Sequence, residues 1–140
     1  MRILLVEENK GDQMIMQEAF QQANVSFDLD IVNDGIEAID FLNREGEFQK
    51  ALRPDLIILD LNLPRKSGRE VLAYVKSDPR FQHLPVIVFS NSSSQKDICE
   101  CYSLKVNAYV VKPARFQGFV DFAHMIRIFW GELVHYCSHS

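Results

Sequence analysis

An α/β fold, a doubly wound sheet of five parallel strands, follows from three observations. Five short apolar runs alternate with segments of helical period, as a chain of βαβ units requires. The run Leu56-Ile57-Ile58-Leu59 lies between Pro54 and Pro64 and is too short to cross a membrane or form an ordinary helix; its leucines and β-branched residues suit a central parallel strand buried on both faces. That run ends in Asp60, a carboxylate offered at the carboxyl edge of the sheet, where the loops of open α/β folds converge and ligands bind.

The strands are expected over residues 2–6, 27–32, 56–60, 86–90 and 108–111. The first helix is read over residues 11–22, with Met14, Ile15, Ala19 and Phe20 on one face, and the second starts behind Asp34 as N-cap and buries Ile36, Ile39 and Leu42. A third begins near Ser67, which forms a capping-box pattern with Glu70, buries Val71, Leu72 and Val75, and stops at Asp78-Pro79. The fourth spans residues 95–104. The last and longest covers residues 116–134, where Phe119, Phe122, Ala123, Ile126, Phe129, Trp130 and Leu133 follow a three-and-four spacing that faces the core. Val120, Ile128, Val134 and Tyr136 fall outside that stripe, an apolar surplus that points to a partner.

A chain of 140 residues is expected to be one domain over residues 1–140, the final helix being followed by a short tail. The net charge of -4 is spread along the chain without a basic stripe, which argues against a nucleic-acid partner. No apolar run reaches the length of a transmembrane helix, and Arg2 leads straight into a strand without a signal-peptide core, so a cytoplasmic protein with no membrane partner is expected. Cys99, Cys101 and Cys137 form neither an even set nor a CxxC pair and read as structural thiols. His135, Cys137 and His139 have a spacing that could hold a metal, but a chain terminus offers little preorganisation, and no metal site is expected there.

Four strand ends bring together Glu7 and Glu8, Asp60, Ser90 and Lys112. Clustered carboxylates repel unless a cation neutralises them, and hard oxygen ligands suit Mg²⁺. With a lysine ammonium and a hydroxyl added, the pocket suits a phosphoryl group on Asp60 as nucleophile. Singly, Asp60 could cap a loop and Ser90 could belong to the polar turn of residues 90–94. Their joint occurrence is what carries chemical meaning.

Leu4-Leu5-Val6-Glu7-Glu8-Asn9, Leu59-Asp60-Leu61-Asn62-Leu63-Pro64 and Lys112-Pro113, in that order, resemble the receiver domain of two-component response regulators over nearly the whole chain. The residues from Pro54 to Leu72, Lys76-Ser77-Asp78-Pro79 and Ile128-Phe129-Trp130 are similar to the single-domain response regulators of cyanobacterial phytochromes. The resemblance implies a (βα)5 flavodoxin-like receiver fold, with Asp60 as phosphoacceptor for a sensor histidine kinase of the phytochrome type. It implies Mg²⁺ held directly by Glu8 and Asp60, through water by Glu7, and by the main-chain carbonyl of Asn62. Lys112 would pair with the phosphoryl oxygens and precede a cis Pro113. Ser90 and Tyr109 would be the switch pair, altering the face made by the fourth helix, fifth strand and fifth helix, through which a homodimer would form.

Two departures from the family pattern bear on this. Glu8 stands where aspartate is usual and reaches one methylene further, which implies a weaker Mg²⁺ site. Asn91 follows Ser90 where a small residue is usual, which implies slower loss of the phosphoryl group. A receiver-like binding module that is not phosphorylated is the first alternative, opposed by the joint presence of Asp60, Ser90 and Lys112. A phosphatase with an aspartate nucleophile would want a second aspartate where Asn62 stands.

Overall fold

The computed structural model describes residues 1–135 and 137. In chain order the elements are β1 (Arg2–Val6), α1 (Lys10–Gln22), β2 (Asp28–Val32), α2 (Gly35–Asn43), a 3₁₀ turn (Gly46–Phe48), β3 (Leu56–Leu59), α3 (Gly68–Ser77), β4 (Val86–Ser90), α4 (Gln95–Ser103), β5 (Ala108–Val111) and α5 (Phe116–Met125). The chain continues from α5 as a π-helix, Ile126–Leu133. All five strands pair in parallel in the order β2-β1-β3-β4-β5. The doubly wound sheet expected from the alternating runs is therefore present.

Two-residue periodicity divides the strand side chains between two cores. Leu4, Val6, Ile57, Leu59, Val86 and Val88 pack with Phe41, Leu42, Val71, Leu72 and Val75 on the face covered by α2 and α3. Ile3, Leu5, Leu56, Ile58, Ile87 and Phe89 pack with Met16, Phe20, Phe119, Phe122 and Ile126 on the face covered by α1 and α5. β3 is buried at every position, which is why its sequence shows no polar alternation.

The helix starts follow side-chain capping. Asn9 accepts from the Asp12 N–H, so α1 starts at Lys10, one residue before the expected start. Asp34 caps α2 by accepting from the Glu37 N–H, and Ser67 caps α3 by accepting from the Glu70 N–H, both as expected.

The final helix departs from expectation. Beyond Met125 its turns widen to the i→i+5 spacing, and the Val134 N–H donates to the Phe129 carbonyl at 2.8 Å. Along these wider turns Phe129 is 46% and Leu133 65% exposed, while Ile126 is fully buried and Trp130 still packs against the core under α1 and α5. Val120, expected outside the stripe, is buried beside Phe119. Phe27 lies outside β2, and its ring packs where a Cβ on Gly131 would stand. Cys101 is packed in the core, whereas Cys99 and Cys137 are exposed. Tyr136 and His139 lie outside the described residues.

Candidate phosphoryl-transfer site

The parallel register carries the predicted residues to one edge. Val6 is level with Leu59, Leu59 with Val88, and Ser90 with Val111, so Glu7, Asp60, Ser90 and Lys112 leave the sheet side by side. The ladder extends past the strand ends: the Glu7 N–H donates to Val32, the Asp60 N–H to Val6 at 3.1 Å and the Lys112 N–H to Ser90 at 2.7 Å.

Lys112 is the hub of the edge. Its Nζ donates to Glu7 Oε1 at 2.7 Å, Asp12 Oδ2 at 2.8 Å and Asp60 Oδ2 at 2.9 Å. The side chain is only 4% exposed, so all three ammonium hydrogens are spent on carboxylates and little water reaches them. Burial disfavours the charged lysine, but the bonds it donates to Asp12, Glu7 and Asp60 more than offset it and raise its pKa. Burial also raises the Glu7 carboxyl, against the lowering effect of the Lys112 bond.

The second oxygens of the two buried carboxylates face their own loops. Glu7 Oε2 accepts from the Asn9 N–H at 3.1 Å and Asp60 Oδ1 from the Asn62 N–H at 3.2 Å. Glu8 and Asn62 are exposed at the rim. Glu7, Asp60, Glu8 and the Asn62 carbonyl are hard oxygen donors of the kind divalent cations take, and to that extent the residues fit Mg²⁺. Among the described residues, however, no three acidic, histidine or cysteine side chains stand around a common metal position. The ammonium of Lys112 lies between Glu7, Asp12 and Asp60 instead.

Ser90 is fully buried, and its Oγ accepts from the Ser92 N–H at 3.2 Å. Tyr109 is half-buried against the α3-side core, and its hydroxyl donates to the Ser92 carbonyl at 2.8 Å. Ser92 thus joins the two expected switch residues. Its own Oγ donates to Asp97 at 2.5 Å, and Arg69 on α3 pairs with Asp97 and, at 2.8 Å, with Glu100.

One expectation is corrected. The Lys112–Pro113 peptide is trans, the ordinary lower-energy isomer, and with it Lys112 Nζ stands 2.9 Å from Asp60 Oδ2. Two residues were missed. Asp12, in the first turn of α1, reads as an ordinary helix-dipole aspartate, and nothing local ties it to a lysine 100 residues away. Ser92 is hidden in a polar run, where only the fold tells it from its neighbours.

Comparison with known proteins bears on the same edge. Residues 3–123 match the response regulator receiver domain family. The chain is 40% identical over 132 residues to the response regulator Rcp1 of Synechocystis sp., covering 94% of this chain and 90% of that protein. The Mn(2+)-bound form of Rcp1 superposes with a TM-score of 0.90 at 39% identity, covering 98% of this chain and 99% of the other. The phosphorylated cyanobacterial phytochrome response regulator RcpA superposes at 0.91 with 44% identity, covering 98% of each chain. With the sheet order, the acidic strand ends and the lysine that joins them all in agreement, the chain belongs to the response regulator receiver domain family.

Proposed function

We propose that this protein is a stand-alone phosphoacceptor, one domain over residues 1–140, that takes a phosphoryl group onto Asp60 from a sensor histidine kinase of the phytochrome type. The observation that carries the reading is the buried Asp60 carboxylate bonded to the buried Lys112 ammonium at the sheet edge. A carboxylate oxygen of Asp60 attacks phosphorus, the new O–P bond forms as the P–N bond of the kinase phosphohistidine breaks, and the electron pair leaves with the imidazole. Lys112 offsets the charge carried by the phosphoryl oxygens, and Glu7 keeps that ammonium in place.

Mg²⁺ is the cation that the donors Glu7, Glu8, Asp60 and the Asn62 carbonyl would hold, and when bound it neutralises charge shared by Asp60 and the incoming group. Glu8 would turn inward from its exposed position to take part. RcpA in phosphorylated form and Rcp1 with Mn(2+) support the phosphoryl and divalent-cation parts of this reading by similarity. Ser90 would exchange the Ser92 N–H for the phosphoryl group, and Ser92 would pass that change to Tyr109 through its carbonyl. The output is a contact made by α4, β5 and α5, either with a partner or with a second copy in the cytoplasm.

Intact mass after incubation with acetyl phosphate and Mg²⁺ tests the proposal. The expected result is a gain of one phosphoryl group, absent in Asp60→Asn and with EDTA. No gain in the folded wild type or in Glu8→Asp would leave the unphosphorylated binding module in its place.

A further inference from the structure

The Lys112 ammonium has three hydrogens and three carboxylate acceptors, so a phosphoryl oxygen can bond to it only by displacing one of them. The three are not equally replaceable. Glu7 is buried, with a side chain 5% exposed, and would be left as an uncompensated charge. Asp60 is the site of attachment. Asp12 has a side chain 27% exposed, so water can solvate its carboxylate once the ammonium leaves. Its main-chain N–H is bound to the Asn9 cap, so the capping bond at the start of α1 does not use its carboxylate.

On this basis, and resting on the phosphoacceptor reading above, we propose that Asp12 is a positioning residue that opposes phosphorylation: it holds Lys112 in the resting site and gives it up when Asp60 is modified. Two effects act in the same direction. Asp12 competes with the phosphoryl oxygens for one hydrogen of the ammonium, and its negative charge, bonded to the same nitrogen as Asp60, repels an anion forming there. Asp12 therefore sets the affinity of the site for a phosphoryl group without being one of the groups that react or hold the cation. A residue of merely structural value would weaken the site when removed. Asp12 should do the reverse.

The test is the binding of beryllofluoride, an anionic phosphoryl analogue, followed by ¹⁹F NMR on the full chain at Mg²⁺ saturating for each variant. Asp12→Asn and Asp12→Ala are expected to bind the analogue about tenfold more tightly than the wild type, from the loss of one nearby charge. Asp12→Glu should stay near the wild-type value. Unchanged or weaker binding in Asp12→Asn and Asp12→Ala, with unaltered circular dichroism, would overturn the proposal; a higher Mg²⁺ concentration needed to saturate those variants than the wild type would move Asp12 into the cation's set and overturn it equally. Failure of the wild type to bind the analogue at all would remove the phosphoacceptor reading itself, and this proposal with it.

Discussion

Asp34 shows how one side chain can serve local and distant structure together. Its Oδ1 caps α2 by accepting from the Glu37 N–H at 2.8 Å, and Arg65 grips both oxygens, at 2.9 and 3.0 Å, from the loop that follows Asp60. Burial pushes the Asp34 carboxyl upward, but the Arg65 bond and the helix N–H groups win and hold it below the ordinary aspartate value. A carboxyl lowered in the folded state contributes stability that is present above its unfolded pKa, 3.8, and is lost as pH falls through the folded value. The melting-temperature gap between wild type and Asp34→Asn should therefore be constant from about pH 6 to 8 and shrink in acid below the unfolded value. A gap that does not shrink in acid, below the unfolded value, would show that the ion pair contributes nothing. The cap was legible in the sequence because Asp before a helical period is a local pattern. Its partner was not: Arg65 lies 31 residues on and takes a left-handed backbone, φ 66°, that no pattern of side chains announces.

At the scale of the element, α3 fixes the backbone of Asp60. A Cβ on Gly68, the first residue of that helix, would stand 2.1 Å from the Asp60 carbonyl oxygen, and the Gly68 N–H donates to Leu61 at 3.0 Å. Glycine is what lets the helix start pack against the strand end. Gly68→Ala should destabilise the fold by about 1–3 kcal/mol in urea unfolding, since both contacts are backbone and cannot turn aside. It should also slow phosphorylation, as Asp60 is pushed from Lys112. The sequence located this helix through Ser67 and Glu70, yet the need for glycine between them arises only from the approach of β3. The last helix makes the complementary point. Its apolar spacing predicted an amphipathic helix over residues 116–134, but spacing assumes 3.6 residues per turn, and the π-helical turns after Met125 break that assumption.

At the scale of the molecule, those wider turns give the chain an apolar surface. Ile128, Phe129 and Leu133 are 43%, 46% and 65% exposed at the end of the last helix, with Val111 of β5 at 42% and Tyr102 of α4 at 50%. If this face joins two copies, Phe129→Ser with Leu133→Ser should abolish a dimer in light scattering while changing unfolding free energy by only about 0.5 kcal/mol per site. A mass that is monomeric at all concentrations in the wild type, with and without beryllofluoride, would rule the dimer out. Among the described residues no helix is long and apolar enough to cross a membrane.

Near neighbours alone account for the alternation of buried runs and helical periods, the caps at Asp34 and Ser67, and the acidic, hydroxyl and lysine residues that end the strands. These depend on period and local hydrogen bonding, which the chain displays in order. The order β2-β1-β3-β4-β5 brings those strand ends to one edge. Only the tertiary structure decided that Asp12 is the third carboxylate on Lys112, that Ser92 links Ser90 to Tyr109, that Lys112 needs no cis peptide, and that Glu8 faces solvent while Glu7 is buried. Each is a competition for one shared partner or one small volume, and its outcome is fixed by distances between segments far apart in the chain.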